Sequence, residues 1–498
     1  MNVMPLTPIT SVKVLQNVPL DNTYKDTLKF SNVSNQISYF TGKVKQTYTG
    51  LTPVKLQNKL RLPVTADYLY DCNYIMFQNA NFGQKWFYAF INKIDFINVN
   101  MCEVEIEIDV YQTWQFDITV KPSYVEREHA SSDNVGDNLV TENVDLGYYR
   151  EEPAETTNLF NSYVAVIATS WDGSGKTGGY RGGLFTGLSY IPALVDNPDQ
   201  VQSLVDLLDD ITTANKSDAI TSIFMMPSMF FTNESTPVME RFDATKQVTQ
   251  IGNYVPKNKK LLTYPYNFLY VFTPDGANNI YKYEYFQNPS SCGFNIQCAM
   301  SCNPEIILEP IAYQKQQFNI DESLSMGNFP QCAYSIDSFK AWLAQNSAGT
   351  LISMAGTAMG IATGNPIAST MGVLGMASTV NGVVQASMKP PQVRGGQGNS
   401  TFTGTREKNF YFINKHVSEE YAKIIDDYFS MFGYATNRVK VPNMNNRESW
   451  NYVKTTDCKI VGSVPFGDMA RIKEMFNSGI TFWHGDFVGD YSRSNNIV

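Results

Sequence analysis

The sequence of 498 residues contains few of the side chains that enzymes commonly use for catalysis or metal binding. It has only three histidines, so a histidine-based metal cluster would need all of them to converge. Its seven cysteines include no Cys-x-x-Cys pair, which indicates reduced and mostly buried thiols. It also lacks the Gly-x-Ser-x-Gly motif of serine hydrolases. The sequence therefore predicts no catalytic residue, metal or cofactor.

The chain also lacks a secretion signal and an excess of positive charge. Its first twenty residues contain no basic segment followed by an apolar one, so we expect the protein to be made in a cytoplasm and to stay there unless carried out. A formal net charge of -9 argues against non-specific adhesion to nucleic acid or anionic lipid. With 43% hydrophobic and 17% charged residues, the composition predicts a globular protein of two to four domains.

One segment partly matches a nucleotide-binding loop. Residues 164–169 predict a strand, and the following SWDGSGKT differs from GxxxxGK[ST] by Ser170 in place of the first glycine. Four glycines within residues 178–183 would not support the helix that must begin at this lysine. The pattern therefore favours a flexible surface loop over a nucleotide site.

The first 130 residues are predicted to be mainly β-strands. Residues 74–78 and 85–91 flank an Asn-rich turn and are typical of a hairpin, and residues 113–120 with their flanks indicate another. Residues 103–110, EVEIEIDV, alternate strictly between acidic and aliphatic side chains. This alternation places four carboxylates on one strand face, those of Glu103, Glu105, Glu107 and Asp109.

Residues 131–340 show a mixed pattern of strands, long loops and short helices. A helix is predicted to begin at Pro198, and Ser217 could cap a second short helix that ends before Pro227. Upstream of this region, the charged side chains at 126–129 are expected at the surface and not in a catalytic cluster; they include Glu126, Glu128 and His129.

The last hundred residues predict an alternating order of strands and helices. The expected elements are strands at 407–413, 434–441, 450–461 and 480–483 with helices at 418–432 and 468–477, each helix ending at a glycine. This β-α-β-β-α-β order is that of a split βαβ sandwich.

The most unusual segment is an uncharged stretch between Lys340 and Lys389. Gly364-Asn-Pro366 divides it into two arms near the lower length limit for a helix that spans a hydrocarbon core of ~30 Å. Each strongly aliphatic residue favours insertion by roughly 0.3–0.6 kcal/mol, so a single arm is marginal and several copies would need to act together. Insertion into a membrane, burial as a helical hairpin and a mobile loop all remain open from the residues alone.

The candidate membrane-insertion residues are the glycines, the proline and the aliphatic side chains of this uncharged segment. They are Gly349, Leu351, Ile352, Met354, Gly356, Met359, Gly360, Ile361, Gly364, Pro366, Ile367, Met371, Gly372, Val373, Leu374, Gly375, Met376, Val380, Gly382, Val383 and Val384.

Seven short segments within residues 1–130 and 406–498 carry a family resemblance. They are DNTYKDTLKF at 21–30, YIMFQNANFGQKWFYAF at 74–90, EIDVYQTWQF at 107–116, REH at 127–129, NRVKVPN at 437–443, WNYVKTTDC at 450–458 and GITFWH at 479–484. In this order, with the Gly/Ala-rich segment between them, they resemble the distal tail knob proteins of small short-tailed phages typified by phi29.

The resemblance implies a structural virion protein: a homohexameric tube at the far end of the tail. Its lumen would conduct the genomic DNA without binding it specifically, and its apolar loops would plug the tube and later enter the lipid of the host cytoplasmic membrane. Implied protein partners are the proximal tail tube or lower collar protein and the tail tip protein. Assembly would take place in the host cytoplasm.

The predicted fold is mainly β with α+β parts, in a multidomain tail-tube and knob protein. The expected parts are an N-terminal β tube domain, a middle knob domain, a membrane-active loop, a linker and a C-terminal α+β tube domain, at 1–130, 131–340, 341–390, 391–405 and 406–498.

Two questions stay open at the level of sequence. The acidic face of residues 103–109 could line the lumen, where it would repel phosphates, or could face solvent on the outer wall. The main functional alternative is a receptor-binding or cell-wall-degrading tail protein.

Overall fold

The structure is a computed structural model, and two compact units make up the chain. Met1–Leu146, Val255–Leu261 and Glu420–Val498 form the first unit, and Gly147–Tyr254 and Leu262–Glu419 form the second. The N-terminal and C-terminal parts thus share one unit, although its boundaries differ from those expected at 130 and 406. The structure describes residues 10–51, 59–79, 83–152, 155–157, 159, 163–171, 181–182, 188–194, 198–230, 239–299, 304–327, 329, 331–332 and 409–498.

The first unit contains a six-stranded antiparallel sheet. Alternate apolar side chains from its strands, such as Val12, Val14, Val104 and Ile106, pack into one buried core. The predicted hairpin around residues 74–91 is confirmed. In spatial order the strands are Val44–Leu51, Thr10–Gln16, Cys72–Asn79, Trp86–Asn98, Met101–Ile108 and Lys59–Leu62.

A second sheet of the first unit joins strands from both ends of the chain. Its single parallel pair among the described residues links Asp26–Leu28 to Ile480–Trp483. The helices Val33–Thr41, Val110–Trp114, Glu419–Phe432 and Phe466–Ser478 accompany the two sheets. The strands in order are Asp26–Leu28, Ile480–Trp483, Trp450–Asp457, Ser123–Glu128 and Tyr434–Lys440, and Ile118–Val120 pairs separately with Ile460–Gly462.

The C-terminal elements occur in the predicted order but do not form a separate sandwich. The first strand, Tyr411–Val417, belongs to a sheet of the second unit, and the others are completed by N-terminal strands. The strand expected at 450–461 is interrupted because the backbone N–H of Cys458 donates to Asn477 and that of Lys459 donates to Ser123. These side-chain acceptors replace a neighbouring strand at that point.

The second unit is built from three sheets around one aromatic-rich core that includes Phe224, Tyr281, Phe294 and Phe412. The helix Pro198–Thr213 confirms the helix predicted from Pro198. The strands of the first sheet, in spatial order, are Tyr149–Glu151, Tyr411–Val417, Asn267–Phe272 and Asn278–Tyr281, and Glu155–Thr156 also pairs with Tyr411–Val417. Those of the second sheet are Arg181–Gly182, Ser189–Leu194, Tyr163–Thr169, Ile220–Pro227 and Gln331–Cys332. Those of the third sheet are Met239–Thr245, Ser291–Ala299, Glu305–Tyr313 and Gln316–Phe318, and Leu324–Met326 also pairs with Glu305–Tyr313.

Two local predictions are wrong. Ser217 begins a single 3-10 turn, Ser217–Ala219, and the residues expected to be helical form the strand Ile220–Pro227, whose alternate side chains reach the core. Residues 113–120 form no hairpin, because Asp109 caps the helix Val110–Trp114.

Candidate functional site on the acidic strand

The acidic residues singled out by the sequence lie on the strand Met101–Ile108, between Trp86–Asn98 and Lys59–Leu62. Val104 and Ile106 point into the core of the six-stranded sheet. Glu103 and Glu105, one position before each of them, therefore share the opposite face with Glu107. The predicted strand and its alternation are confirmed up to Ile108.

Glu103 is held by two cations of the neighbouring strand Lys59–Leu62. Its carboxylate accepts from Lys59 Nζ and from Arg61 Nε, each at 3.1 Å. The hydrogen bonds from Lys59 and Arg61 lower the pKa of the Glu103 carboxyl. Glu103 is thus ionised and locally neutralised at pH 7.

Glu107 is held by groups from three other parts of the first unit. Arg471, on the helix Phe466–Ser478, lies 2.5 Å away, and the side-chain amides of Asn22 and Asn92 each donate at 3.1 Å. Partial burial raises the pKa of the Glu107 carboxyl, but the hydrogen bonds from Asn22, Arg471 and Asn92 outweigh it and leave this pKa below its ordinary value. Glu107 therefore ties the strand to a helix from the other end of the chain.

The remaining charges on this face are mixed in sign. Glu105 lies in register with both Lys59 and Lys93, and Asp95, opposite Glu103, pairs with Lys93 at 2.8 Å. Asp95 and the three glutamates are matched by Lys59, Arg61, Lys93 and Arg471. These four cations offset the four carboxylates, so the face carries less negative charge than its acidic residues alone would give it.

Asp109 does not belong to this face. Its side chain is only 1% exposed, accepts from the backbone N–H of Gln112 at 3.0 Å and accepts from the Tyr74 hydroxyl at 2.8 Å. Burial raises the pKa of the Asp109 carboxyl to about 6, although these hydrogen bonds oppose the rise. Its inclusion among the surface carboxylates is wrong because the strand ends at Ile108 and Asp109 becomes a buried helix cap.

Glu128 and His129 were expected at the surface but are buried in the first unit. Glu126 is partly exposed and pairs with Lys454 at 2.7 Å. The Glu128 carboxylate accepts from Lys440 and from the backbone N–H of Asn443. These residues join neighbouring strands and loops, so their role is structural.

His129 occupies a site made for a neutral imidazole. The backbone N–H of Tyr452 donates to Nδ1 at 2.8 Å, and Nε2–H donates to the Ser430 carbonyl at 3.1 Å. Burial lowers the pKa of His129 to about 3, assisted by Arg447 and Arg127. The local sequence did not predict this burial, because the partners Ser430 and Tyr452 lie 301 and 323 positions away along the chain.

A second buried ionic cluster was not predicted at all. The Glu142 side chain is fully buried and contacts Arg127 and Lys260, the latter at 2.6 Å, while also accepting from the backbone N–H of Ala435 at 2.8 Å. Burial lowers the pKa of Lys260, and Glu142 opposes this shift. The cluster joins three parts of the first unit that are distant in sequence.

The candidate membrane segment, residues 341–390, and the glycine-rich loop at 172–180 lie outside the described residues. Among the residues that the structure does describe, no helix has the length and apolar character needed to cross a membrane. The same residues contain no cluster of His, Cys, Asp and Glu that could hold a metal ion.

Two family models match the sequence. The C-terminal domain of tail knob protein gp9 of Bacillus phage phi29 matches residues 230–496, more than half of the chain. The N-terminus of the caudoviral major tail protein matches residues 8–120, which include the acidic strand. Together the models extend over both ends of the chain.

Whole-length relatives and a solved structure agree with these models. The chain is 27% identical to tail knob protein gp9 of Bacillus phage B103 and 27% identical to that of Bacillus phage phi29, over 98% of this chain and 98% of each relative. The tail knob protein gp12 of bacteriophage C1 has a similar fold, with a TM-score of 0.62 at 16% identity over 98% of this chain and all of the other.

Proposed function

The chain belongs to the family of the phage tail knob protein gp9 of Bacillus phage phi29, and from this we propose how it acts in the tail. As a tail knob protein it is a structural component of a phage virion. We propose that it assembles as a homohexamer whose lumen conducts the genome, and that it contacts the proximal tail tube or lower collar protein and the tail tip protein. The similarity to gp9 over 98% of both chains carries this proposal.

We further propose that residues 341–390 enter the host cytoplasmic membrane. Apart from Lys389 this segment is uncharged, and the part at 348–388 lacks aromatic residues and is rich in Gly and Ala. Its aliphatic content is marginal for one copy, so insertion would require several copies acting together. Glycine makes such arms poor helices in water, while in lipid the backbone must satisfy its own hydrogen bonds as a helix.

The charged strand face also supports a proposal about the DNA path. If Glu103, Glu105 and Glu107 face the lumen, the mixed charges around them give DNA neither a continuous cationic surface to bind nor a strong barrier. Passage without specific binding would follow from this balance. Replacing Glu103 and Glu107 with glutamine should then leave a net cationic surface and measurable, salt-dependent DNA retention.

The membrane proposal is tested by deleting residues 346–388 and measuring dye release from liposomes at neutral and acidic pH. The intact protein should release dye under a triggering condition, and the deletion variant should remain a folded oligomer without this activity. Leu374→Asp should reduce release several-fold, whereas the matched Ser378→Thr should not.

Two results would count against the membrane role. Absence of release by the full chain and by a peptide of residues 348–388 under every condition would exclude insertion. Loss of folding in the deletion variant would instead indicate a hairpin buried in the protein core. The oligomeric state is checked separately by native mass spectrometry.

A further inference from the structure

A cavity of about 460 Å³ opens in the first unit beside the helix Val33–Thr41. Part of its wall comes from the turn after the strand Asp26–Leu28, and part from residues that follow the strand Ile480–Trp483. Its size is within the range of small-molecule sites in proteins, about 300–1,000 Å³. The residues that matter for recognition are Lys29, Phe30, Ser31, Tyr39, Asn445 and His484.

The lining of this cavity carries a positive charge. Lys29 lines it, and no aspartate or glutamate is among its described lining residues. Within the described part of the chain Lys29 forms no ion pair, and burial lowers the pKa of its ammonium group. Because a bound anion would stabilise this partly desolvated cation, the cavity favours anions over cations.

Two acidic residues adjacent in sequence to the segments that form this wall have other partners. Asp486 accepts from Lys43 Nζ at 2.9 Å and from the Tyr39 hydroxyl at 2.5 Å. Asp26 accepts from Trp483 Nε1 at 2.6 Å. These contacts satisfy the carboxylates without the Lys29 ammonium group.

Ser31 adds a hydrogen-bond donor. Its oxygen accepts from the side-chain amide of Asn35 at 2.8 Å and more weakly from that of Asn32 at 3.4 Å. A hydroxyl oxygen with both acceptor positions used keeps its hydrogen for a third partner. The exposed side chain of Asn445 at the rim can donate as well.

Two aromatic rings form the apolar part of the cavity wall. Phe30 and Tyr39 line the cavity with ring centroids 5.4 Å apart and planes inclined by 53°. They offer an apolar surface to the body of a ligand, whereas Lys29 and Ser31 suit an oxyanion. We propose that this cavity binds a small organic phosphate monoester, with its phosphate at Lys29 and Ser31 and its organic body against Phe30 and Tyr39.

The test is calorimetric titration of the full-length protein with adenosine monophosphate, ribose 5-phosphate, inorganic phosphate and adenosine. We expect saturable binding of the two monoesters, at least tenfold tighter than that of phosphate alone or of adenosine. Lys29→Ala should weaken monoester binding at least tenfold. The matched variant Lys25→Ala removes an exposed lysine four positions away and should leave binding unchanged.

Asn445→Asp is a second variant that tests the same binding site if Lys29→Ala fails to fold. It places a carboxylate at the exposed rim and should also weaken monoester binding several-fold. The proposal is overturned if neither monoester binds saturably, if phosphate or adenosine binds as tightly as a monoester, or if folded Lys29→Ala protein binds like the wild type.

Discussion

The buried imidazole of His129 shows how one side chain couples the fold to pH. It accepts from Tyr452 and donates to Ser430, and both contacts require the neutral ring with its hydrogen on Nε2. Its pKa is lowered to about 3 in the folded protein, whereas an unfolded chain protonates histidine near 6.5. Its stabilising contribution is therefore complete above pH 6.5 and is lost as pH falls toward 3.

We predict that this histidine reduces the free energy of unfolding by about 2 kcal/mol between pH 7 and pH 5. His129→Gln should be less stable at pH 7, because the two-sided hydrogen bonding is disturbed, but its stability should vary less over this interval. Guanidinium titrations followed by tryptophan fluorescence at the two pH values provide the measurement. An unchanged pH dependence in the variant would contradict the assignment.

Asp109 has the opposite pH dependence. Its pKa is raised to about 6 in the fold, so the folded state holds a proton that the unfolded chain has released between pH 4 and pH 6. Its contribution to stability therefore decreases as pH rises through this window, by about 3 kcal/mol at most.

Asp109→Asn should remove this cost. The amide oxygen can still accept from Gln112, and the amide nitrogen can donate to the Tyr74 oxygen, so we expect a gain of about 1–3 kcal/mol at pH 7. Asp95→Asn, at a half-exposed site of the neighbouring strand where only a surface ion pair with Lys93 is lost, is the control and should change stability little. Equal denaturation midpoints for Asp109→Asn and wild type at pH 7 would refute the prediction.

At the scale of elements, Gly433 decides how the helix Glu419–Phe432 ends. Its φ of 65° lies in the left-handed region, and a Cβ added there would overlap the backbone carbonyl of Glu128. The helix can turn directly into the strand Tyr434–Lys440 because glycine allows both the dihedral angle and the close approach.

Gly433→Ala should therefore destabilise the first unit by at least about 2–3 kcal/mol or prevent its folding. Gly467→Ala is the matched control, since Gly467 lies within the helix Phe466–Ser478 and a Cβ there meets open space. Its replacement should be neutral or stabilise the protein by up to about 1 kcal/mol. Thermal unfolding of both variants measures the difference, and equal losses would show that the close approach to Glu128 is unimportant.

Helices with a clear stop were predictable from local residues, whereas elements fixed by tertiary contacts were not. Gly433 and Gly479 gave the ends of two helices correctly because their role is set by backbone geometry. The alternation in residues 113–120 suggested a strand, but Val110–Trp114 is a helix whose first four residues are all buried. Such burial depends on distant segments and overrides local propensity.

At the scale of the molecule, the sequence analysis assigned both ends of the chain to tube domains but did not predict that they share sheets. The predicted C-terminal sandwich treated residues 406–498 as self-contained, whereas Ser123–Glu128 supplies the strand between Trp450–Asp457 and Tyr434–Lys440. At the candidate site, the alternation located Glu103, Glu105 and Glu107 correctly. Their partner Arg471 could not be found, because hundreds of residues separate it from the strand.

The buried cluster around Glu142 is expected to hold these distant parts together. Glu142→Gln would leave the buried cations Arg127 and Lys260 without their shared anion, and we expect a loss of about 3–5 kcal/mol. Adding Lys260→Met to this variant removes one of the uncompensated charges and should recover part of the loss. A double-mutant cycle by chemical denaturation measures this coupling, and additive effects would argue against a shared cluster.

The pairing of Asp26–Leu28 with Ile480–Trp483 has a consequence for biosynthesis. Trp483 donates to Asp26 across a separation of 457 positions, so the early strand can form this pairing only after residues 480–483 have been synthesised. A prematurely terminated product would expose an unpaired strand edge and could not complete the sheet. The second sheet of the first unit can therefore close only after translation has passed residue 483.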